Sequence, residues 1–283
     1  MSDPNFPEQA GEFGVDAAID TTADNLINPI LDGVAARIPG AEGFEQMLNT
    51  EVDQVINNDI NTEVNDLYQV HGFDALTPLE ETLRALDSLV RSGKVRYIGC
   101  SNYSAWHLMK ALSVSERLNL ERYVSQQVYY SLVARELEFE LIPLGLDQGV
   151  GILVWSPLAF GFLSGKYRRG QPQPEGTRRA KIGDIGTVSD LEKGYDIMEV
   201  LHEVANNRGV SVAQVALNWL LRQSGITSVI IGARNEQQLR DNLGAAQWEL
   251  TLEEVNRLNQ VSATAPIYPY WHQRKFGAER IPQ

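Results

Sequence analysis

Residues 93–108 read GKVRYIGCSNYSAWHL: a short apolar run, Val95–Cys100, that ends on a polar pair, Ser101-Asn102. A run of this length, rich in β-branched and aromatic residues, predicts a buried strand. Working outward, four more runs share its character: Val64–Val70 before it, and Tyr123–Tyr129, Gly151–Trp155 and Ile226–Ile231 after it. The intervals carry helical periods. Leu79, Leu83, Leu86 and Val90 are spaced by three or four residues. Val200, Leu201 and Val204, then Val212, Val215, Ala216, Trp219 and Leu220, repeat that spacing. Strands that alternate with helices imply parallel pairing through crossover helices. Five such units, at roughly 30 residues each, suggest part of a (β/α)8 barrel. Residues 170–189, GQPQPEGTRRAKIGDIGTVS, are rich in Gly, Pro and Arg and read as a long functional loop. Residues 263–283 read as an irregular aromatic and basic tail.

Charge divides the chain. Its 283 residues carry a net charge of −13, and residues 1–64 hold thirteen Asp and Glu against one basic residue, Arg37. That leaves −12 in the first quarter and −1 in the remainder. The first tyrosine is Tyr68 and the first lysine is Lys94. Two regimes therefore meet near residue 64: an atypical acidic, mainly helical segment, 1–63, and the strand–helix portion, 64–283. In the first, Asn28-Pro29 starts a helix that Pro39-Gly40 stops. Phe44, Met47, Leu48, Val52, Val55 and Ile56 form the apolar stripe of a second helix. Helices at 29–38 and 44–57 are expected there. An open parallel sheet exposes unpaired edges, which proteins cover. These helices, a second copy of the chain or a partner chain could cover the N-terminal side.

Composition excludes several classes. The acidic balance argues against a nucleic-acid partner, and no apolar run approaches the roughly 18 residues of a membrane span. The start, MSDPNFPEQAGEFG, has neither the basic nor the apolar region of a secretory signal. One cysteine, Cys100, leaves no internal disulfide and no thiol zinc site, and fits a reducing, cytoplasmic setting. No metal site is expected.

In parallel barrels the functional groups sit at the C-terminal ends of the strands. His71, Ser101, Asn102, Gln127 and Trp155 all fall at or just past such an end. Asn102 and Gln127 offer both hydrogen-bond donors and acceptors. By themselves, a Ser-Asn pair caps turns and a tryptophan fills cores. Asn235 and Gln238 read as a capping box at a helix start, and a helix N-terminus is also an anion site.

Taken in order, NDLYQVHGFD (65–74), GKVRYIGCSNYSAWHL (93–108), VSQQVYYSL (124–132), VWSPLAFGFLSGKY (154–167) and SVIIGARNEQQLRDN (228–242) resemble the aldo-keto reductase family. The resemblance covers residues 64–283. It implies an α/β, (β/α)8 TIM-barrel-like fold, with the fourth to eighth strands present and the first three βα units replaced or missing. It also implies an oxidoreductase that moves hydride from NADPH to a small-molecule carbonyl. His71 resembles the family's active-site histidine. Ser101, Asn102 and Gln127 take the places that hold the nicotinamide carboxamide, and Trp155 the place of the aromatic beneath the nicotinamide. Ser156, Leu158, Gly161, Ser164 and Lys166 match pyrophosphate or ribose contacts, small residues there letting backbone N–H groups approach phosphate. Arg234 is placed for a 2′-phosphate, with Gln238 beside it where many members carry arginine, and Asn242 for adenine. NADP(H) is the implied cofactor.

The family's chemistry uses Asp, Tyr, Lys and His, the first three from units that precede the histidine. Upstream of His71 this chain has one tyrosine, Tyr68, and no lysine. Ala18-Ile19-Asp20-Thr21 resembles the run that carries the aspartate, but Asn25, or Leu26 with one insertion, stands where the tyrosine is expected, and Asp20 reads equally as an N-cap or an exposed acidic loop residue. The expectation is an impaired or inactive reductase that retains nucleotide binding. Its rivals are an active NADP-dependent oxidoreductase with another proton donor, and a nucleotide-sensing, scaffold or chimeric product. His107, His202 and His272 read as surface or packing residues, and Cys100 as an inert core thiol.

Overall fold

The computed structural model describes residues 65–177 and 187–277. The helices expected at 29–38 and 44–57, the Asp20 motif and part of the 170–189 loop lie outside the described residues.

The described chain runs β1 (Asn65–Val70), α1 (Leu79–Arg91), β2 (Val95–Ser101), α2 (Ala105–Leu118), β3 (Tyr123–Tyr129), α3 (Leu141–Gln148), β4 (Gly151–Trp155), α4 (Leu191–Arg208), α5 (Val212–Leu221), β5 (Ile226–Val229), α6 (Glu236–Gly244), α7 (Leu252–Ser262) and α8 (Tyr270–Phe276). The five strands pair in sequence order, and every pairing is parallel. This is the α/β architecture of part of a (β/α)8 barrel. The strands expected at 123–129 and 151–155 match to the residue, and β2 runs one residue further, to Ser101. Strand β5 stops at Val229, although the Ile230 N–H still donates to Val154 O at 2.8 Å.

Two clusters form the core. One packs Ile152 and Val154 of β4 beneath Phe162, Ile197, Leu201, Trp219 and Leu258. The other packs Ile98 and Cys100 of β2 against Leu83, Leu108 and Tyr123. Each such side chain contributes about 1.5–3 kcal/mol on leaving water. Cys100 is fully buried, and that burial pushes its thiol up to about 12, which suits the inert role expected of it.

Local signals set the helix ends. Helix α1 buries Leu79, Leu83 and Leu86, with Glu80 and Glu81 in its first turn and Arg91 in its last, as the helix dipole favours. Asp190 caps α4 by accepting from Lys193 N at 3.0 Å, and Gly209, at φ 67°, ends it. Thr251 and Glu254 form a reciprocal capping box at α7. Arg208 grips the Glu254 carboxylate at 2.8 and 2.5 Å and, with the Thr251 bonds, holds it down at about 2.

One element differs from expectation, and another forms against local propensity. The tail is not wholly irregular: Tyr270–Phe276 is a helix, anchored where Phe139 stacks on Tyr270 at 5.3 Å. Helix α3 contains Pro143 and Gly145, poor helix formers. Gly145 is needed there for space, since a Cβ would lie 2.9 Å from Val150 O.

Candidate active site

The sheet has an apolar face under the helices and a polar face opposite. On the face opposite, Gln69 (β1), Gly99 (β2) and Ser125 (β3) stand in register, and Ser101 and Gln127 form the next level, with Leu153 beside Gln127. Gln69 Nε2 donates to Ser125 Oγ at 3.1 Å, and Gln127 Nε2 donates to Gln69 Oε1 at 3.0 Å. Ser101 Oγ donates to Gln127 O at 2.8 Å. Gln127 therefore belongs to a central strand rather than a sheet edge.

Just beyond the strand ends the backbone is turned out of its ordinary range. Asn102 (φ 56°), Ser156 (φ 52°), Ala159 (φ 48°) and Phe160 (φ 55°) are all left-handed without being glycine. Such residues cost about 1–3 kcal/mol each and cluster at functional sites. Asn102 joins three strands: its N–H donates to Gln127 O at 3.1 Å, its Nδ2 to His71 O at 2.9 Å, and its Oδ1 accepts from Trp155 Nε1 at 3.0 Å. Trp155 stacks on Tyr129 with ring centroids 4.9 Å apart. His71, Ser101, Asn102, Gln127 and Trp155 thus come together as one connected group.

From Trp155 an elongated cleft of about 640 Å³ runs to the N-terminus of α6. Ser156, Leu158, Gly161, Ser164, Lys166, Arg234, Gln238 and Asn242 all line it. The turn after β4 is folded by its own hydrogen bonds. Phe160 N–H donates to Ser156 Oγ at 3.1 Å, Gly161 and Leu163 N–H groups to Leu158 O, and Ser164 Oγ to Gly161 O at 2.6 Å. Of the residues expected to contact pyrophosphate or ribose, Gly161 has its N–H already bonded within the turn, as do the neighbouring Ala159, Phe160 and Leu163. Gly161 faces open space, where a Cβ would meet nothing within 4 Å, and this keeps the cleft wide there.

At the far end Asn235 caps α6, accepting from Gln238 N at 2.9 Å. The reciprocal bond of the expected box reaches one residue further back, Gln238 Oε1 accepting from Arg234 N at 3.0 Å. Arg234 Nη1 donates to Gly176 O at 2.9 Å, which ties the 170–177 loop to the cleft wall. Asp241, beside Asn242, accepts from Ser211 Oγ at 2.7 Å and from Gln214 Nε2 at 2.8 Å. Phe160, Tyr167, Thr177, Ile230–Ala233 and Asp241 also line the cleft, and sequence reasoning missed them. Asp241 carried the clearest signal, one residue before Asn242 on the same helix. His107 has a packing role, stacked between Phe73 and Trp106 at 3.6 Å from each.

A parallel α/β sheet with polar groups at its C-terminal strand ends, beside a cleft that reaches a helix N-terminus, is the arrangement of the barrel class. The chain belongs to the aldo/keto reductase family, whose model matches residues 41–263 and so also takes in residues 41–63. It is 39% identical to an uncharacterized oxidoreductase of Bacillus subtilis, YrpG, over 71% of this chain and 60% of that protein. It is 34% identical to versiconal hemiacetal acetate reductase of Aspergillus parasiticus, over 72% of this chain and 59% of that one. It is also 34% identical to L-glyceraldehyde 3-phosphate reductase of Escherichia coli K12, over 73% and 60%. The chain thus spans about three-fifths of the length of the curated relatives it matches. No helix among the described residues is long and apolar enough to cross a membrane.

Proposed function

We propose that this chain binds NADP(H) in the cleft between β4 and α6 and reduces small carbonyl compounds weakly or not at all. The observation that carries the reading is the cleft itself. One elongated space is lined by an aromatic end (Trp155), two cationic side chains (Lys166, Arg234) and a helix N-terminus. Those are the partners that a flat ring, a pyrophosphate and a 2′-phosphate require. With four N–H groups of the turn after β4 internally bonded, phosphate charge falls mainly to Lys166, the Ser156 hydroxyl and the first turn of α6. Arg234 would read the 2′-phosphate and Asn242 the adenine. Ser101, Asn102 and Gln127 would fix the nicotinamide carboxamide above Trp155.

When bound, NADP(H) supplies a hydride for a carbonyl carbon, and the carbonyl oxygen must then gain a proton. A positioned general acid contributes typically 10²- to 10⁴-fold to such a step. His71 is the candidate donor in this chain, because no lysine precedes Lys94 and the only tyrosine before His71 is Tyr68. A soluble role in a reducing compartment, possession of a small-molecule substrate and pairing with a second chain belong to the same proposal.

A titration with NADPH, recording nicotinamide emission and tryptophan quenching together, tests the reading. Saturable quenching with enhanced nicotinamide emission is expected, alongside aldehyde turnover that is very slow and lost in His71→Ala. Absence of saturable binding would remove the cofactor assignment. Fast turnover unchanged in His71→Ala would remove the impaired-donor assignment.

A further inference from the structure

We propose that Gln69 is a positioning residue for the nicotinamide half of the cleft, fixing which end of the Gln127 carboxamide faces a bound cofactor. Gln69 lies two residues before His71 and has no role in the function proposed above, and the inference rests on the NADP(H) reading of the site. Its carboxamide is a link in a chain that crosses three strands, Gln127 Nε2 to Gln69 Oε1 and Gln69 Nε2 to Ser125 Oγ. Two strand spacings are about 10 Å, and one side chain from β1 reaches β3 only if nothing stands on β2 between them.

The residue between them is Gly99. A Cβ there would lie 2.4 Å from Ser125 Oγ and 3.0 Å from Gln69 Cγ and Nε2. Gly99 is not among the residues with positive φ, so its backbone does not demand glycine. Its missing side chain is what lets Gln69 lie across β2. With Gln127 Nε2 committed to Gln69, Gln127 Oε1 is the end that takes no hydrogen bond among the described residues. An acceptor left unbonded at the strand ends suits the N–H₂ of a nicotinamide carboxamide. Asn102 already has one bond at each end, Oδ1 accepting from Trp155 Nε1 and Nδ2 donating to His71 O, which leaves Gln127 Oε1 as the wholly unbonded acceptor of the pair.

The test compares two probes, NADPH and 2′-phospho-ADP-ribose, which lacks only the nicotinamide. In Gln69→Leu the affinity for NADPH should fall about three- to tenfold, the effect of one neutral hydrogen bond. The affinity for 2′-phospho-ADP-ribose should be unchanged. Gln69→Glu keeps an acceptor for Gln127 Nε2 and should retain most of the NADPH affinity, whereas Gly99→Ala should reproduce Gln69→Leu. Unchanged affinity for both probes in Gln69→Leu, or an equal loss of both, overturns the positioning role. Wild-type protein that binds neither probe overturns the cofactor reading, and this role with it.

Discussion

The two ends of the candidate site are built differently. The phosphate end, from Trp155 to Asn242, stands on the larger core cluster, where Ile152, Val154, Phe162 and Trp219 are wholly buried. The His71 end stands on β1, the first strand of the described sheet, where Leu67 is 37% and Tyr68 45% exposed. Among the described residues, β4 at the first end is paired on both sides, whereas β1 is paired with β2 alone and linked further by a few polar bonds. The nucleotide contacts proposed for this chain fall at the first end and the proposed carbonyl-handling groups at the second, so on that proposal binding should tolerate changes that chemistry does not.

The strongest way to break that contrast is to cut each end. Trp219 is fully buried, donates to Asn259 Oδ1 at 2.9 Å and lies under the Arg135 guanidinium. Trp219→Ala should cost about 3–5 kcal/mol in denaturant unfolding. Tyr68→Ala on β1 should cost within about 0.5 kcal/mol, as for other exposed positions. Comparable losses from the two would mean that β1 is as firmly built in as the phosphate end.

A smaller effect sharpens the same comparison. Glu254 links α7 to the end of α4 beside the larger core, and its carboxyl is held at about 2 against an ordinary 4.5, chiefly by the Arg208 hydrogen bond. A group whose folded value is depressed stabilises the fold above its unfolded value and loses that contribution as it protonates. Stability should therefore decline as the pH falls from about 4.5 towards 2. Glu254→Gln should flatten that part of the profile and cost about 1.5–3 kcal/mol at neutral pH. A pH profile identical to wild type would show the Arg208 pair to contribute nothing.

Much of this was legible in order and spacing. Apolar runs with β-branched residues marked the strands, and all eight phosphate-end residues read from the motifs line one cleft. What escaped the sequence depends on contacts between distant segments. Gln69 looks like any polar residue in a strand until Gly99 and Ser125 are seen beside it. In the turn after β4, left-handed Ser156, Ala159 and Phe160 and the bonds that use the Ala159, Phe160, Gly161 and Leu163 N–H groups have no sequence signal of their own. Helix α8 is too short for a periodic signal, and its stack on Phe139 is a contact across more than a hundred residues.

The central claim is that the phosphate end recognises a 2′-phosphorylated nucleotide without help from the His71 end. Calorimetric titration with adenosine 2′,5′-bisphosphate tests it most directly, with 5′-AMP as the comparison. Wild-type protein should bind the bisphosphate, and Arg234→Ala should weaken it about tenfold or more while leaving 5′-AMP unchanged, the effect of one charge-assisted contact. No binding of the bisphosphate, or equal weakening of both nucleotides in Arg234→Ala, would contradict it.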